Sequence, residues 1–276
     1  MNTIIPIKVN GHARTWDSSR NLLTNGLSNF KISKSEKFMG GKYSTVVLHL
    51  APASISGYNM CPGSSKGCRD ACLNQAGQGG MTQGEIGEKR LEDSSIHQAR
   101  VGKTTLLKEY TDIFFMKLKT ELNNFVSRCG VKESKPCVRL NGTSDVNWMF
   151  IKDPETKKTI LELYPEIQFY DYTKVFNRLK QSEKFSNYHL TFSLSENNHK
   201  QGMKALEMGF NLTAVFDSKL DIPETFLGYP VFTADDTDLR FLDNELYKQD
   251  KAMVLYLKEK GYMGKRDKSG FIVRSL

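Results

Sequence analysis

No stretch of the 276-residue chain approaches the roughly 20 consecutive apolar residues of a bilayer-spanning helix, and MNTIIPIKVNGHARTW at the start holds no long apolar run of the signal-peptide kind. Membrane insertion and secretion are not expected; a cytoplasmic location is. Histidine is scarce, at five residues, and no two of them share a helix face at metal-binding spacing. No Ser, His and Asp residues fall into a recognisable hydrolase motif. There is no internal repeat and no low-complexity tract. The two tryptophans, Trp16 and Trp148, are too few and too far apart for a stacking platform and read as core or rim. Cysteine is also sparse, and its number, five, is odd. That argues against a disulfide framework.

What is present fits one large globular domain or one domain with terminal additions: 39% of residues are hydrophobic and 25% charged. The net charge of +8 comes mostly from the first forty residues and from Lys258, Lys260, Lys265, Arg266, Lys268 and Arg274 near the end. An anionic partner, nucleic acid included, is one reading of that excess; a solvated basic surface is the other.

Along the chain, residues 1–43 are polar and read as an irregular N-terminal arm or lead-in strands. Residues 44–237 follow as a core, and 238–276 as a small C-terminal α+β extension. STVVLHLAP (Ser44 to Pro52) has the β-branched, bounded look of a buried strand. A polar helix is expected around Glu85 to Gln98. An amphipathic one should follow over Thr104 to Val126, where Leu107, Tyr110, Phe114, Leu118, Leu122 and Phe125 recur at helical spacing. Strand-like CVRLNG, IQFYDYT, YHLTFSL, LTAVFD and YPVFTAD then alternate with helical segments. The expected fold class is therefore α/β, with parallel β/α units and six strands, fewer than a closed barrel needs. The extension should hold a helix near Leu246 to Lys260 and a closing strand in GFIVRS.

In parallel β/α folds chemistry gathers at the carboxyl ends of the strands. Directly after the first strand comes Cys61-Pro-Gly-Ser-Ser-Lys-Gly-Cys68-Arg-Asp-Ala-Cys72, with Gly63 and Gly67 letting the backbone fold around a central object. Three soft thiolates in one loop select an iron–sulfur cluster or zinc; the bland alternative is three small buried hydrophobes. A cubane has four irons, so three cysteines leave one for a fourth ligand or a substrate. Cys129, Cys137, His49 and Asp70 are the fourth-donor candidates, none with diagnostic spacing. For Cys129 and Cys137 burial in the core is the better reading.

Asp145, Asp171, Asp217 and Asp235 follow four different strands, and in a barrel they could face one pocket as acid, base or nucleophile. Aspartates also cap helices, which is the competing reading of each. Asp171-Tyr-Thr-Lys174 places a lysine and a tyrosine where a phosphate or carboxylate could bind. Val101-Gly-Lys-Thr-Thr105 resembles the end of a phosphate-binding loop, but His97 stands where the first glycine belongs, and the reading is rejected.

The cysteine loop at the end of the first strand looks like that of a radical S-adenosylmethionine enzyme core with its thiols respaced, implying a partial (β/α)6-type barrel. CPGSSKGCRDACLNQAGQGG, VRLNGTSD, LYPEIQFYDYTK and, more weakly, DDTDLRFLD resemble the bacteriophage gene product 88 family over most of residues 45–243. That resemblance implies Cys61, Cys68 and Cys72 as metal ligands, with Arg139, Asp145, Tyr172, Thr173 and Lys174 as site residues. Asn141 and Ser144 stand, with Asp145, where radical enzymes hold their methionine cofactor. Asp145, Tyr172 and Lys174 are the expected catalytic groups; Arg139, Asn141, Ser144 and Thr173 are the expected cofactor contacts.

The expected function is an iron–sulfur protein with a 4Fe–4S cluster, S-adenosylmethionine as a second cofactor, and redox or radical chemistry in the host cytoplasm. Its partner would be a small molecule or a host or phage protein. The alternatives are a structural or regulatory cluster without turnover, and a zinc-containing barrel that exchanges bases in DNA through two strand-end aspartates, its basic termini on phosphates.

Overall fold

The computed structural model describes residues 4–75 and 93–275. The last residues of the CPGSSKGCRDACLNQAGQGG segment, and most of the helix expected at Glu85 to Gln98, lie outside the described residues.

The amino-terminal region is regular where an irregular arm was one expectation. β1 (Ile4–Val9) and β2 (His12–Asp17) form an antiparallel hairpin. Its turn, Asn10-Gly11, has both residues at positive φ, the chemistry of a two-residue hairpin. β3 (Leu23–Asn25) and α1 (Phe30–Phe38) follow, the latter capped by the Asn29 side chain on the Lys31 amide.

β4 (Tyr43–Leu48), β5 (Lys135–Arg139), β6 (Gln168–Thr173), β7 (Tyr188–Ser193) and β8 (Leu212–Phe216) then pair in sequential order, each parallel to the last. The connections carry α2 (Lys66–Asp70), α3 (Ser95–Glu109), α4 (Thr111–Val131), α5 (Ile160–Leu163), α6 (Asn177–Ser182) and α7 (His199–Glu207). The single helix expected over Thr104 to Val126 breaks at Tyr110, whose φ of −133° and ψ of 52° leave the helical region. The apolar spacing runs unbroken through the kink because both helices press on the same core.

Past β8 the order changes. β10 (Tyr229–Thr233), in a hairpin with β9 (Thr225–Phe226), is separated from β8 by β11 (Val254–Lys258), which is parallel to both. The helix expected near Leu246 to Lys260 is thus corrected: only α8 (Asp243–Leu246) is helical at its start, and MVLYL enters the sheet. Val254 and Tyr256 bury on one face while Met253 and Leu255 bury on the other. A continuous apolar run buried on both sides carries no period with which to tell strand from helix.

The closing strand expected in GFIVRS is β12 (Ile272–Val273). It pairs parallel with Val215 and Phe216 of β8, just past Leu212 and Thr213 where β7 pairs. The carboxyl end of the chain is therefore a wedge where β7 and β8 part.

The described residues form a mixed α/β molecule around a mostly parallel ten-stranded sheet, which among them is edged by β3 and β9 and not closed into a barrel. Its two faces differ. Val46, Leu48, Val138, Phe169, Phe192 and Leu212 join one apolar core with residues of α3 to α7. The opposite face carries Arg139, Tyr172, His189, Thr191 and Thr213, alternate positions of the same strands. It is covered by residues 234–247, the crossover from β10 to β11, through Leu239 and Leu242 against Cys137 and Tyr170.

Candidate metal centre

The cysteine loop is tied to the strand ends by backbone and side-chain bonds. Gly142 donates its amide to Leu48 O at 3.0 Å, Asp145 its amide to Met60 O at 2.9 Å, and Thr143 its hydroxyl to Leu50 O at 2.6 Å. Cys61 then turns, with the Ser64 amide on its carbonyl. Gly63 lies against the end of β6: a Cβ there would meet Lys174 Cβ at 3.0 Å. Ser65 caps α2, accepting from the Cys68 amide at 3.1 Å and donating to Glu196 Oε2 at 2.6 Å, while Glu196 Oε1 accepts from the Gly67 amide at 2.8 Å. A Cβ on Gly67 would collide with Ser269 and Phe271. The tail that carries β12 thus forms one wall of the loop.

Cys61, Cys68 and Cys72 are reduced and half-buried. Cys61 Sγ accepts from the Ala53 amide at 3.3 Å, Ala53 having the positive φ of 47° that turns its N–H toward the sulfur. Cys72 Sγ accepts from the Asn74 amide at 3.5 Å, and Asn74 is held by Arg100. Burial pushes the Cys61 thiol up to about 11 against the Ala53 amide, and charge on Cys72, Asp145 or Cys68 would push the same way. Burial also raises Cys72, partly offset by the Asn74 amide, Arg100 and Lys174. The three thiols thus sense one another, and a thiophilic cation would release their protons. Among the described residues, no three His, Cys, Asp or Glu side chains stand close enough together to hold a metal ion as they are placed here.

The donor chemistry fits a thiophilic group: three soft sulfurs, two of them already receiving amide hydrogens. Of the fourth-donor candidates, Asp70 pairs with Lys66 at 2.5 Å and Cys129 and Cys137 are buried; burial pushes His49 down to about 3, toward the neutral imidazole that is the metal-ligating form.

The other expected site residues divide into three groups. Asn141 is a structural hub: its Oδ1 accepts from Ser144 Oγ, the Val146 amide and Trp148 Nε1, and its Nδ2 donates to Val146 O. Ser144 therefore serves the loop, and Thr173 likewise accepts from the Val175 amide in a local turn. Asp145 and Lys174 do lie beside the thiols. Asp145 pairs with Arg178 at 2.6 Å and accepts the Lys174 amide at 2.9 Å, and Lys174 Nζ donates to Ser193 Oγ at 2.5 Å beneath the Phe271 ring. Arg139 and Tyr172 form the third group on the polar face, the guanidinium 5.1 Å from the ring centroid and paired with Asp238 at 2.7 Å.

The expectation that four aspartates share a pocket is corrected. Asp171 points to the helix side, accepting from the Asn141 amide and Tyr188 OH, where burial pushes it up to about 7. Asp217 pairs with Arg274 at the tail, and Asp235 gives its carbonyl to Lys34. Lys103 of the rejected phosphate-loop segment is buried in α3 and donates to Leu22 O.

The sequence matches the family described as Gene product 88 over residues 17–275. The chain belongs to the Gene product 88 family. No curated protein and no solved structure matches it. The Gene product 88 match takes in the cysteine loop, the polar face and the tail wedge together, so the loop's contacts with Glu196, Ser269 and Phe271 fall inside the family's extent. Glu196, Arg100 and Asn74 were not singled out in the sequence: each acts through a partner far along the chain or through its backbone.

Proposed function

We propose that this Gene product 88 protein is an iron–sulfur protein in which Cys61, Cys68 and Cys72 hold a 4Fe–4S cluster used for redox or radical chemistry. The observation that carries this reading is the pair of backbone amides, from Ala53 and Asn74, directed at the sulfurs of Cys61 and Cys72. Amide hydrogens and nearby cations stabilise charge on cluster-bound sulfur and set its potential. Arg100 and Lys174 supply the cations. Binding requires the three thiols to draw together from their present positions.

Bound there, the cluster would supply one-electron chemistry at the carboxyl ends of the strands. Asp145, fixed by Arg178, positions the backbone at Lys174. The Lys174 amine, held on Ser193 Oγ, bears on Cys72 electrostatically. The sequential order of β4 to β8, with crossover helices on one face, supports a radical-SAM-like arc. Asn141 and Ser144 spend their side chains on their own loop, so S-adenosylmethionine would fall to Lys174 and Ser193. The packing of Ser269 and Phe271 on Gly67 favours a second reading, in which the cluster staples loop to tail without turnover.

Anaerobic purification decides between them, with iron, sulfide and zinc quantified and paramagnetic resonance recorded before and after dithionite. About four irons per chain and a reduced signal altered by S-adenosylmethionine are expected for the radical reading. A cluster signal indifferent to it supports the staple. A colourless protein with about one zinc per chain overturns both.

A further inference from the structure

Helix α1 shows solvent the side chains that helices usually bury. Its inner side is spent on the fold: Ile32 and Ser35 are buried, Ser35 Oγ accepts the Asp238 amide at 2.6 Å, and Lys31 pairs with Asp238 at 3.3 Å. Phe30, Lys34, Lys37 and Phe38 fall on the other side, within about 100° of the helix circumference, and all four are exposed. Phe30 is 86% and Phe38 56% exposed. One exposed apolar side chain is ordinary, but two aromatic rings on one nine-residue helix, with lysines between them, make a patterned surface.

The stripe runs on past the helix end into a basic rim. The Lys135 amide donates to Lys42 O at 2.8 Å, and Lys135 Nζ lies 5.9 Å from the centroid of the Tyr43 ring. Glu36, Arg128 and Lys132 line one small cavity of about 30 Å³, which sets the end of α4 against α1. Residues 30–43 and 128–135 together carry seven basic side chains and two acidic ones. Of the acidic pair, Glu36 turns inward to accept the Thr45 amide at 2.8 Å. Glu133 in the turn and Glu245 near Tyr43 remain to oppose the cations. Lys31 and Lys34 are held by Asp238 and Asp236, but among the described residues Lys37, Lys42, Arg128, Lys132 and Lys135 form no ion pair, and all five are exposed.

The geometry points to a binding surface for single-stranded nucleic acid along α1 and the amino ends of β4 and β5, with phosphates on these five cations and bases on the Phe30 and Phe38 rings. Sequence-tolerant single-strand binding combines the same two parts, a positive track for the backbone and aromatic faces for the bases. A duplex keeps its bases stacked inside and would leave the rings idle. An anionic bilayer would take apolar side chains set side by side, whereas Lys34 and Lys37 stand between the two rings along the helix. The surface goes beyond the cluster reading and draws nothing from it.

The test titrates the full chain into a fluorescent oligothymidylate of about a dozen nucleotides, read by anisotropy over a salt series, and records the melting temperature of each variant. The wild type should bind, and more weakly as salt rises. In Lys42→Gln/Lys132→Gln/Lys135→Gln the slope of log affinity on log salt should be shallower by about 2, as for three lost phosphate contacts. Neutralising Lys180, Lys200 and Lys204, exposed on α6 and α7 of the opposite face, should leave the slope unchanged. Phe38→Ser should bind about ten-fold more weakly, as for one lost stacking contact. All variants should melt with the wild type, because the altered side chains are exposed. No binding, slopes lowered equally by both triple variants, a Phe38→Ser protein that binds like the wild type, or a variant that melts lower would each overturn the assignment. Binding to phosphatidylserine vesicles in place of the oligonucleotide would overturn it as well. Binding is scored with and without iron, so its failure is separable from failure of the cluster.

Discussion

Asp171 illustrates how a strand-end carboxylate can look catalytic and be architectural. Tyr172 on β6 and Lys174 just past its end point toward the polar face and the thiols, but the alternation of a strand turns Asp171 into the helix-side core. Burial pushes its carboxyl up to about 7, against an ordinary 3.8. The folded state then holds a proton that the unfolded chain has lost, so this group's contribution to stability falls as pH rises from about 4 to about 7. Asp171→Asn removes that slope. Relative to wild type, the variant should gain up to about 4 kcal/mol between pH 4 and 7, measured by urea unfolding at both pH values. The buried histidines His49 and His189, which slope the other way, are common to both proteins and cancel. A difference that does not change with pH would show Asp171 charged in the fold. The sequence set this aspartate just after the third strand, but it lies inside β6, two residues before its end. Nor could the sequence say which face it took, because QFYDYT is nearly all bulky and lacks a polar and apolar alternation.

At the scale of elements, α2 is a five-residue helix, far too short to persist alone. Ser65 caps it locally, and Glu196 reaches it from the loop beyond β7, accepting from both Ser65 and Gly67. Glu196→Ala should raise amide hydrogen exchange across residues 64–72 by on the order of ten-fold, as for loss of a charged hydrogen bond, while α4 exchanges unchanged. Exchange read by mass spectrometry checks this, and uniform exchange in the loop would dismiss Glu196 as a tether. Neither the cap nor the tether was read from the sequence: Ser65-x-x-Cys68 lacks the Glu or Gln of a capping box, and Glu196 lies 131 residues from Ser65 with nothing in its own neighbourhood to mark it. The strands β4 to β8 were legible from short apolar runs bounded by turn residues. β11 was missed because its run of four apolar residues, Val254 to Leu257, buries on both faces.

For the whole molecule, the last forty residues are part of the sheet. β11 separates β8 from β10, and β12 fills the gap where β7 leaves β8. A chain ending at Thr237 would leave β8 and β10 without their shared partner and expose the polar face. It should lose cooperative thermal unfolding altogether, by circular dichroism, and self-associate by sedimentation through the unpaired edges. A monomer with a sharp transition would show residues 1–237 to be a self-sufficient unit.

The wedge at the end of the chain also sets an order of events. The wall behind Gly67 is built from Ser269 and Phe271, about 200 residues later in the chain, and at roughly 5–20 residues per second a ribosome takes about 10–40 s to reach them. During that interval the thiols of Cys61, Cys68 and Cys72 emerge without their enclosure. A group that binds these thiols would meet first a nascent chain with an open loop, which closes only after Ser269 and Phe271 have been made.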